Sequence, residues 1–553
     1  MPDKVLLLGI DGATFDNLLP YMETGRLPFL RSIADEGTMG HLRSTIQPVT
    51  PPAWTAMICG KNPGKTGIYD FFQLKAGGYN IEYTNSSFRK SASMWDVLGN
   101  AGKTSGIHNV PMTYPVDKVN GFMISGLGTP GKNTRFTYPE GLKDELTREF
   151  GDYRLFDYHY DSKTKDEYVR RVMDYIDENV RVSKYLIERH PTDFVMTVFM
   201  SIDHLQHGFL HFTQPGADDE QSAKYRNVLL NAYERLDKGL AELASCADFS
   251  HVMVVSDHGF STIRWFVDLN KYLEEEGFLK FNGPANGASN AMSLLGRTRL
   301  FARMAMPKSL KNWITRKMPN LKNSIDSALV TGMMDWKNTA AFAIGTYGNI
   351  RINLMGMEPM GIVPHSEYRS TCERIKQSLL RLKDPETDET VVERVYSMDE
   401  IYSGECLENA PDLLLKFKDY KYYAFPKLKY EPDAKVFYKR PKEMKEGVCL
   451  DSLSEHAENG IFMVKGRGVR KGHRIEDARI IDVMPTVLYL MGAPIPQDLD
   501  GRVLTGIFEQ AYAGQNTIRV DDTFDGSSRQ VDFELGDDEK EEIEKKLKGL
   551  GYM

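Results

Sequence analysis

Cysteine is scarce in this chain, and the five present, Cys59, Cys246, Cys372, Cys406 and Cys449, are scattered. No Cys-x-x-Cys pair occurs, which argues against a zinc ribbon and gives no disulfide framework. Long hydrophobic runs are missing as well. The first apolar run, Val5 to Ile10, is stopped by Asp11 and is too short for a signal-peptide core. No stretch approaches the roughly 20 apolar residues that span a bilayer. An excess of positive charge is also absent: the formal net charge is -8, so no global pull toward nucleic acid is expected. These absences point to a cytoplasmic protein that does not bind nucleic acid. With 553 residues the chain can bury a large core and build more than one domain.

What the chain does have is apolar runs that end in acid. Val252 to Phe260 reads VMVVSDHGF, and its β-branched run leads straight into Asp257 and His258. Val5 to Ile10 leads into Asp11-Gly12, and Phe194 to Met200 leads into Ser201-Ile202-Asp203-His204. Short apolar runs of this kind read as buried strands of a parallel sheet. Between them lie residues at helical spacing, Val169, Val172, Met173, Ile176 and Val180, and later Tyr225, Val228, Leu229, Ala232, Leu236 and Leu240. Strand and helix in alternation predict an α/β fold, a doubly wound, mostly parallel sheet with helices on both faces. Further strand patterns lie at Lys103 to Pro111, Gly121 to Gly126 and Gly460 to Gly466, and Asp482 to Met491 is a helical apolar segment.

The pattern is interrupted after Phe260. We expect residues 1–263 and 445–525 to form a discontinuous core, residues 264–444 an inserted cap, and residues 526–553 a tail. The tail helix, Asp537 to Lys548, should dock through Ile543, Leu547 and Leu550. From Gly277 to Ile325 there are nine Lys and Arg and no acid. Within it, residues 297–317 have the composition of a basic amphipathic helix, which would suit an anionic lipid surface or substrate; a solvated cap surface is the plainer alternative.

Parallel strands bring Asp11, Asp203 and Asp257 to one sheet edge, where ligand crevices of open α/β sheets lie. Like charges gathered there require a cation. His207 follows Asp203 by four residues, His258 adjoins Asp257, and His456 is expected in a loop before a late strand. Six oxygen and nitrogen ligands, three and three, suit two divalent ions; imidazole with carboxylate favours zinc, with manganese the alternative. Thr50 reads as an N-cap or as a nucleophile at a helix start. Pro51 and Pro52 carry no amide hydrogen, so Ala53 and Trp54 would have to supply the donors for a bound phosphate.

This series resembles the alkaline phosphatase superfamily, in its type I phosphodiesterase/nucleotide pyrophosphatase branch and the related predicted phosphohydrolases and phosphomutases. The resemblance covers Lys4 to Phe72, Asp193 to Phe260 and Ser454 to Leu504. It implies one ion held by Asp11, Thr50, Asp257 and His258 and a second held by Asp203, His207 and His456. It implies Thr50 as the nucleophile and a phosphoester small molecule, nucleotide-like or sugar-phosphate-like, as substrate. Phosphodiester or pyrophosphate cleavage is the first expectation, with mutase or monoesterase chemistry second and a metal-stabilised binding protein third. The frame Thr50-Pro51-Pro52-Ala53-Trp54 disfavours a sulfatase, which needs Cys or Ser with a following Arg. The usual His before Gly-Ile is Thr66 here, so substrate contacts do not carry over. Tyr347, Asn349 and Arg351 are polar residues beside a cap strand that could reach a substrate, with core-facing or surface placement the plainer alternative.

Overall fold

The computed structural model describes residues 3–75, 77–79, 81–151, 153–155, 164–282, 334–427, 431, 433–439, 453–524, 526 and 533–550. The basic stretch 297–317 lies outside them. A nine-stranded sheet organises the chain. Its order is His473–Arg479, Thr38–Arg43, Asn459–Gly466, His251–Val255, Val5–Ile10, Phe194–Phe199, Ser105–Val110, Gly121–Ser125, Thr137–Tyr138. Asn459–Gly466 runs antiparallel to both neighbours and Thr137–Tyr138 to its one neighbour. The other pairings are parallel.

The apolar runs are continuous because both faces of the sheet are covered. Alternation sends Val5 and Leu7 to one face, where they join Ala53, Trp54, Trp95, Val483 and Val487. Leu6, Leu8 and Ile10 go to the other, against Leu18, Leu30, Val172, Leu205 and Leu236. The expected doubly wound sheet is therefore what the structure shows. No described helix is long and apolar enough to cross a membrane.

Between Thr262 and Ser454 the chain builds smaller sheets. Ala341–Ile344, Asn349–Ile352, Leu413–Phe417 and Val392–Ser397 form a four-stranded antiparallel sheet. The helices Leu269–Glu275 and Tyr368–Leu379 pack on it through Leu269, Leu273, Cys372, Ile375 and Leu379. Leu74 and Tyr79, from a hairpin near the start of the chain, share this core, with Tyr79 stacked on Trp336 at 3.8 Å. Ile543 and Leu547 of the tail helix are buried, as their spacing suggests, in an aromatic cluster that includes Val49, Phe71, Tyr114 and Tyr347. The side chain of Leu550 is outside the described set.

Asp70 joins this inserted region to the core. It accepts hydrogen bonds from Thr346 N at 2.7 Å and from Thr346 Oγ1 at 2.9 Å. Burial pushes its carboxyl up from 3.8 to about 7, against the pull of these donors. The folded state thus keeps a proton that the unfolded chain releases near 3.8. The stability this lends is full below that value and is lost as pH rises through about 7. Asp70→Asn should flatten the stability–pH curve of the metal-loaded protein over that window in denaturant titrations. An unchanged slope would remove Asp70 from the account.

Candidate active site

Three neighbouring parallel strands set the site. Val5 pairs with both Phe194 and His251, so the carboxyl ends of the strands are level. Asp11 follows the first strand directly. Asp203 lies in the first turn of the Ser201–Phe209 helix and shares a face with His207, four residues on. Asp257 and His258 follow Val255. His456 is not in a loop: it sits on the Ser454–Ala457 strand, directly across from Phe260 of Gly259–Thr262. The four-residue strand was too short to show a pattern.

Thr50 begins the Thr50–Cys59 helix but does not cap it. Val49 is the N-cap residue and Thr50 is already the first helical position. The Ala53 amide donates to Val49 O at 3.0 Å, so it is spent inside the helix, contrary to the expected phosphate role. The Trp54 indole has a separate role: Nε1 donates to Asp11 Oδ2 at 2.7 Å. Trp54 therefore orients a carboxylate. Gly9 makes room for it, since a Cβ there would stand 2.6 Å from the Trp54 ring. Gly12, at φ 70°, leaves similar room for Phe260, whose ring meets those of His207 and His456 edge-on at 4.9 and 5.1 Å.

All seven proposed ligand side chains are buried. Each histidine has its Nδ1 against a backbone carbonyl: His258 on Gly259 O at 3.2 Å, His207 on Ser454 O at 3.1 Å and His456 on Pro48 O at 3.0 Å. A carbonyl only accepts, so Nδ1 carries the proton and a neutral ring keeps its lone pair on Nε2. These Nε2 atoms face one another and the acids. His258 Nε2 is 3.5 Å from Asp11 Oδ1, 3.2 Å from Asp257 Oδ2 and 3.3 Å from Thr50 Oγ1. His456 Nε2 is 3.2 Å from both Asp203 Oδ1 and His207 Nε2. The His258 and His456 rings stack at 3.6 Å and bridge the two groups.

The electrostatics match this geometry. Burial, with Asp257 and Asp203 nearby, holds the Asp11 carboxyl well above the usual range. Burial and Asp203 do the same to Asp257. Burial also acts on Asp203, but the His207 and His456 rings outweigh it and hold that group below the usual range. Burial depresses His207 to about 4 and holds His258 well below the usual imidazole range, in each case disfavouring the charged ring. Asp11 Oδ1 and Asp257 Oδ2 are buried with no hydrogen-bond donor. Ligand atoms of Asp11, Asp257 and His258 lie within 4.8 Å of one another, as do those of Asp203, His258 and His456. Converging Nε2 atoms and buried carboxylate oxygens fit divalent cations.

The substrate-contact expectations fare less evenly. Tyr347 does reach the site: its hydroxyl accepts from His456 N at 2.9 Å. Asn349 is buried at the head of its strand, near Gly345. Arg351 pairs with Glu358 at 3.0 Å and donates to Ala410 O and Glu408 O, a structural role in place of the expected one. Sequence reasoning missed the Trp54 indole and Glu455, a buried acid whose Oε2 is 3.6 Å from His207 Nδ1. Its one signal was an acid beside a proposed ligand with no basic residue near it in the chain.

The family model for type I phosphodiesterase/nucleotide pyrophosphatase matches residues 5–444. That span contains the proposed ligands except His456. Among solved structures, phosphonoacetate hydrolase from Sinorhizobium meliloti 1021 in complex with phosphonoformate is similar, with a TM-score of 0.52 and 13% identity over 89% of this chain and 95% of that one. Human ectonucleotide pyrophosphatase/phosphodiesterase 5 gives 0.48 and 12%, over 92% and 100%. At these identities the first likeness is one of fold. No curated protein matches the chain by sequence.

Proposed function

Since the chain belongs to the type I phosphodiesterase/nucleotide pyrophosphatase family, and so to the phosphoester hydrolases, we propose that it splits a phosphodiester or pyrophosphate through a covalent Thr50 intermediate. The observation that carries this is Thr50 Oγ1 at 3.3 Å from His258 Nε2, which also lies 3.5 Å from Asp11 Oδ1 and 3.2 Å from Asp257 Oδ2, two buried carboxylate oxygens with no hydrogen-bond donor. Asp11, Thr50, Asp257 and His258 would hold one divalent ion and Asp203, His207 and His456 a second, with zinc favoured by this donor set and manganese the alternative. Such ions supply charge neutralisation and make a hydroxyl nucleophile accessible near neutral pH.

Thr50 contributes position. It is buried at the first turn of its helix, whose positive end favours the negative charge of a phosphoryl group. Pro51 and Pro52 have no amide hydrogen and Ala53 has spent its own. Attack by Thr50 Oγ1 forms the Thr50–O–P bond as the hydroxyl gives up its proton, and the substrate alcohol or phosphate leaves with the electron pair of the broken bond and takes up a proton. Water then cleaves the Thr50–O–P bond, one of its protons restoring the Thr50 hydroxyl, and the phosphate or phosphate monoester is released. The region 264–444 serves as the cap over this edge, its Tyr347 already in contact with His456.

The reading is tested by removing metal. Dialysis against a chelator should abolish turnover of diester and pyrophosphate substrates, and zinc or manganese should restore it. Full turnover by the stripped protein would refute the metal assignment. Return of the phosphoryl group to the substrate instead of to water would identify a mutase.

A further inference from the structure

We propose that Tyr347 and Glu455 form a clamp that ties the inserted region to the metal-ligand strand and sets how tightly the second ion is held. The inference rests on the metal reading above. Tyr347 stands between Gly345 and Gly348 and is itself left-handed, at φ 58°. A bulky residue keeps that conformation only where its surroundings hold it. They do so here: Asp70 anchors the preceding Thr346 by its amide and hydroxyl, and the Tyr423 ring meets Tyr347 edge-on at 4.9 Å.

Held in this way, the Tyr347 hydroxyl makes two bonds in the site. It accepts from the His456 amide at 2.9 Å and donates to Glu455 Oε2 at 3.2 Å. The same Oε2 lies 3.6 Å from His207 Nδ1. One side chain of the inserted region thereby fixes the backbone that carries His456 and the carboxylate that flanks His207. Both imidazoles belong to the set assigned to the second ion. Groups behind metal-ligating histidines fix ring orientation, and their loss typically costs about 10–100-fold in metal affinity. Asp11 and Asp257 are oriented by other groups, Trp54 Nε1 and Gly12 N, so the effect should fall on one ion. Tyr347 and Glu455 are positioning residues.

The test is zinc titration of metal-free wild type, Tyr347→Phe, Glu455→Ala and the double variant, by competition with a chromophoric chelator. Tyr347→Phe should keep one ion at wild-type affinity and bind the other about tenfold or more weakly. Glu455→Ala should act in the same direction, and the double variant should add little to either. Glu455→Gln retains an oxygen to accept from Tyr347 and should lie nearer to wild type. If Tyr347→Phe does not fold, Glu455→Ala provides the same readout. Two ions bound at wild-type affinity in these variants would overturn the clamp, and so would equal weakening of both. A wild type that binds no ion refutes the metal reading instead, so the two failures are distinguishable.

Discussion

Thr50→Ala should turn over phosphodiester substrates roughly a thousandfold or more slowly than the wild type, the scale expected when a covalent step is lost. Thr50 Oγ1 is buried and lies against His258 Nε2, so deleting it removes the attacking atom while the six carboxylate and imidazole ligands stay. Metal content should fall less than on loss of Asp257, because a hydroxyl is the weakest of the proposed donors. Thr50→Ser keeps the oxygen and should keep substantial activity. Acid quench of the wild type with labelled substrate should trap label on the peptide that contains Thr50. Near-normal kcat in Thr50→Ala would assign the attack to water and end the covalent mechanism, along with the mutase alternative in that form.

Asp257→Asn should separate metal binding from folding. In the metal-free protein, burial and neighbouring acids hold Asp11 and Asp257 above the ordinary carboxylate range. Neutralising one of them relieves that repulsion, so the metal-free variant should be at least as stable as the metal-free wild type. Zinc then discriminates between them. At a hundredfold excess over Kd, an ion that binds only the folded state adds about 2.7 kcal/mol. The wild type should show that rise in melting experiments and the variant much less of it. Elemental analysis should find about two ions per chain in the wild type, as a two-metal clamp requires, and fewer in Asp257→Asn and His207→Ala. Full metal content in both variants would sink the assignment.

Much of this site was legible because strand ends announce themselves. An apolar run that stops at Asp257 reads alone as a hydrogen-bonded Asp-His turn, but three such runs ending at Asp11, Asp257 and just short of Asp203 point to one sheet edge, and the Asp203–His207 spacing fits one helical face. Ile543 and Leu547 were legible for the same reason, as an apolar edge on a charged helix. The Thr50–Cys59 helix was harder, because all ten of its residues are buried. With no amphipathic stripe, nothing singled out Trp54 as the donor to Asp11. Of the two readings of Thr50, the N-cap does not hold: Thr before Pro-Pro suits that role, whereas the structure places the cap one residue earlier. Arg351 was judged by its position beside a strand, and the partner that claims it, Glu358, lies across a turn that composition does not reveal. Tyr347 depends on a left-handed turn between two glycines, which no periodicity encodes.

The placement of Asn459–Gly466 between Thr38–Arg43 and His251–Val255 has a consequence for biosynthesis. When the ribosome has made residue 255, the strand 251–255 has one neighbour, Val5–Ile10, and an open edge on the other side. That edge stays open while residues 256–458 are made, and the strand Thr38–Arg43 waits apart from the sheet for the same interval. Unpaired apolar edges invite pairing with other chains, and contacts this distant in sequence form slowly. His456 is delivered by the same late segment that joins Thr38–Arg43 to the sheet. A nascent chain therefore acquires its last proposed metal ligand and covers the open edge of 251–255 in one event, before His473–Arg479 covers Thr38–Arg43, and chains released before residue 466 should collect in the insoluble fraction.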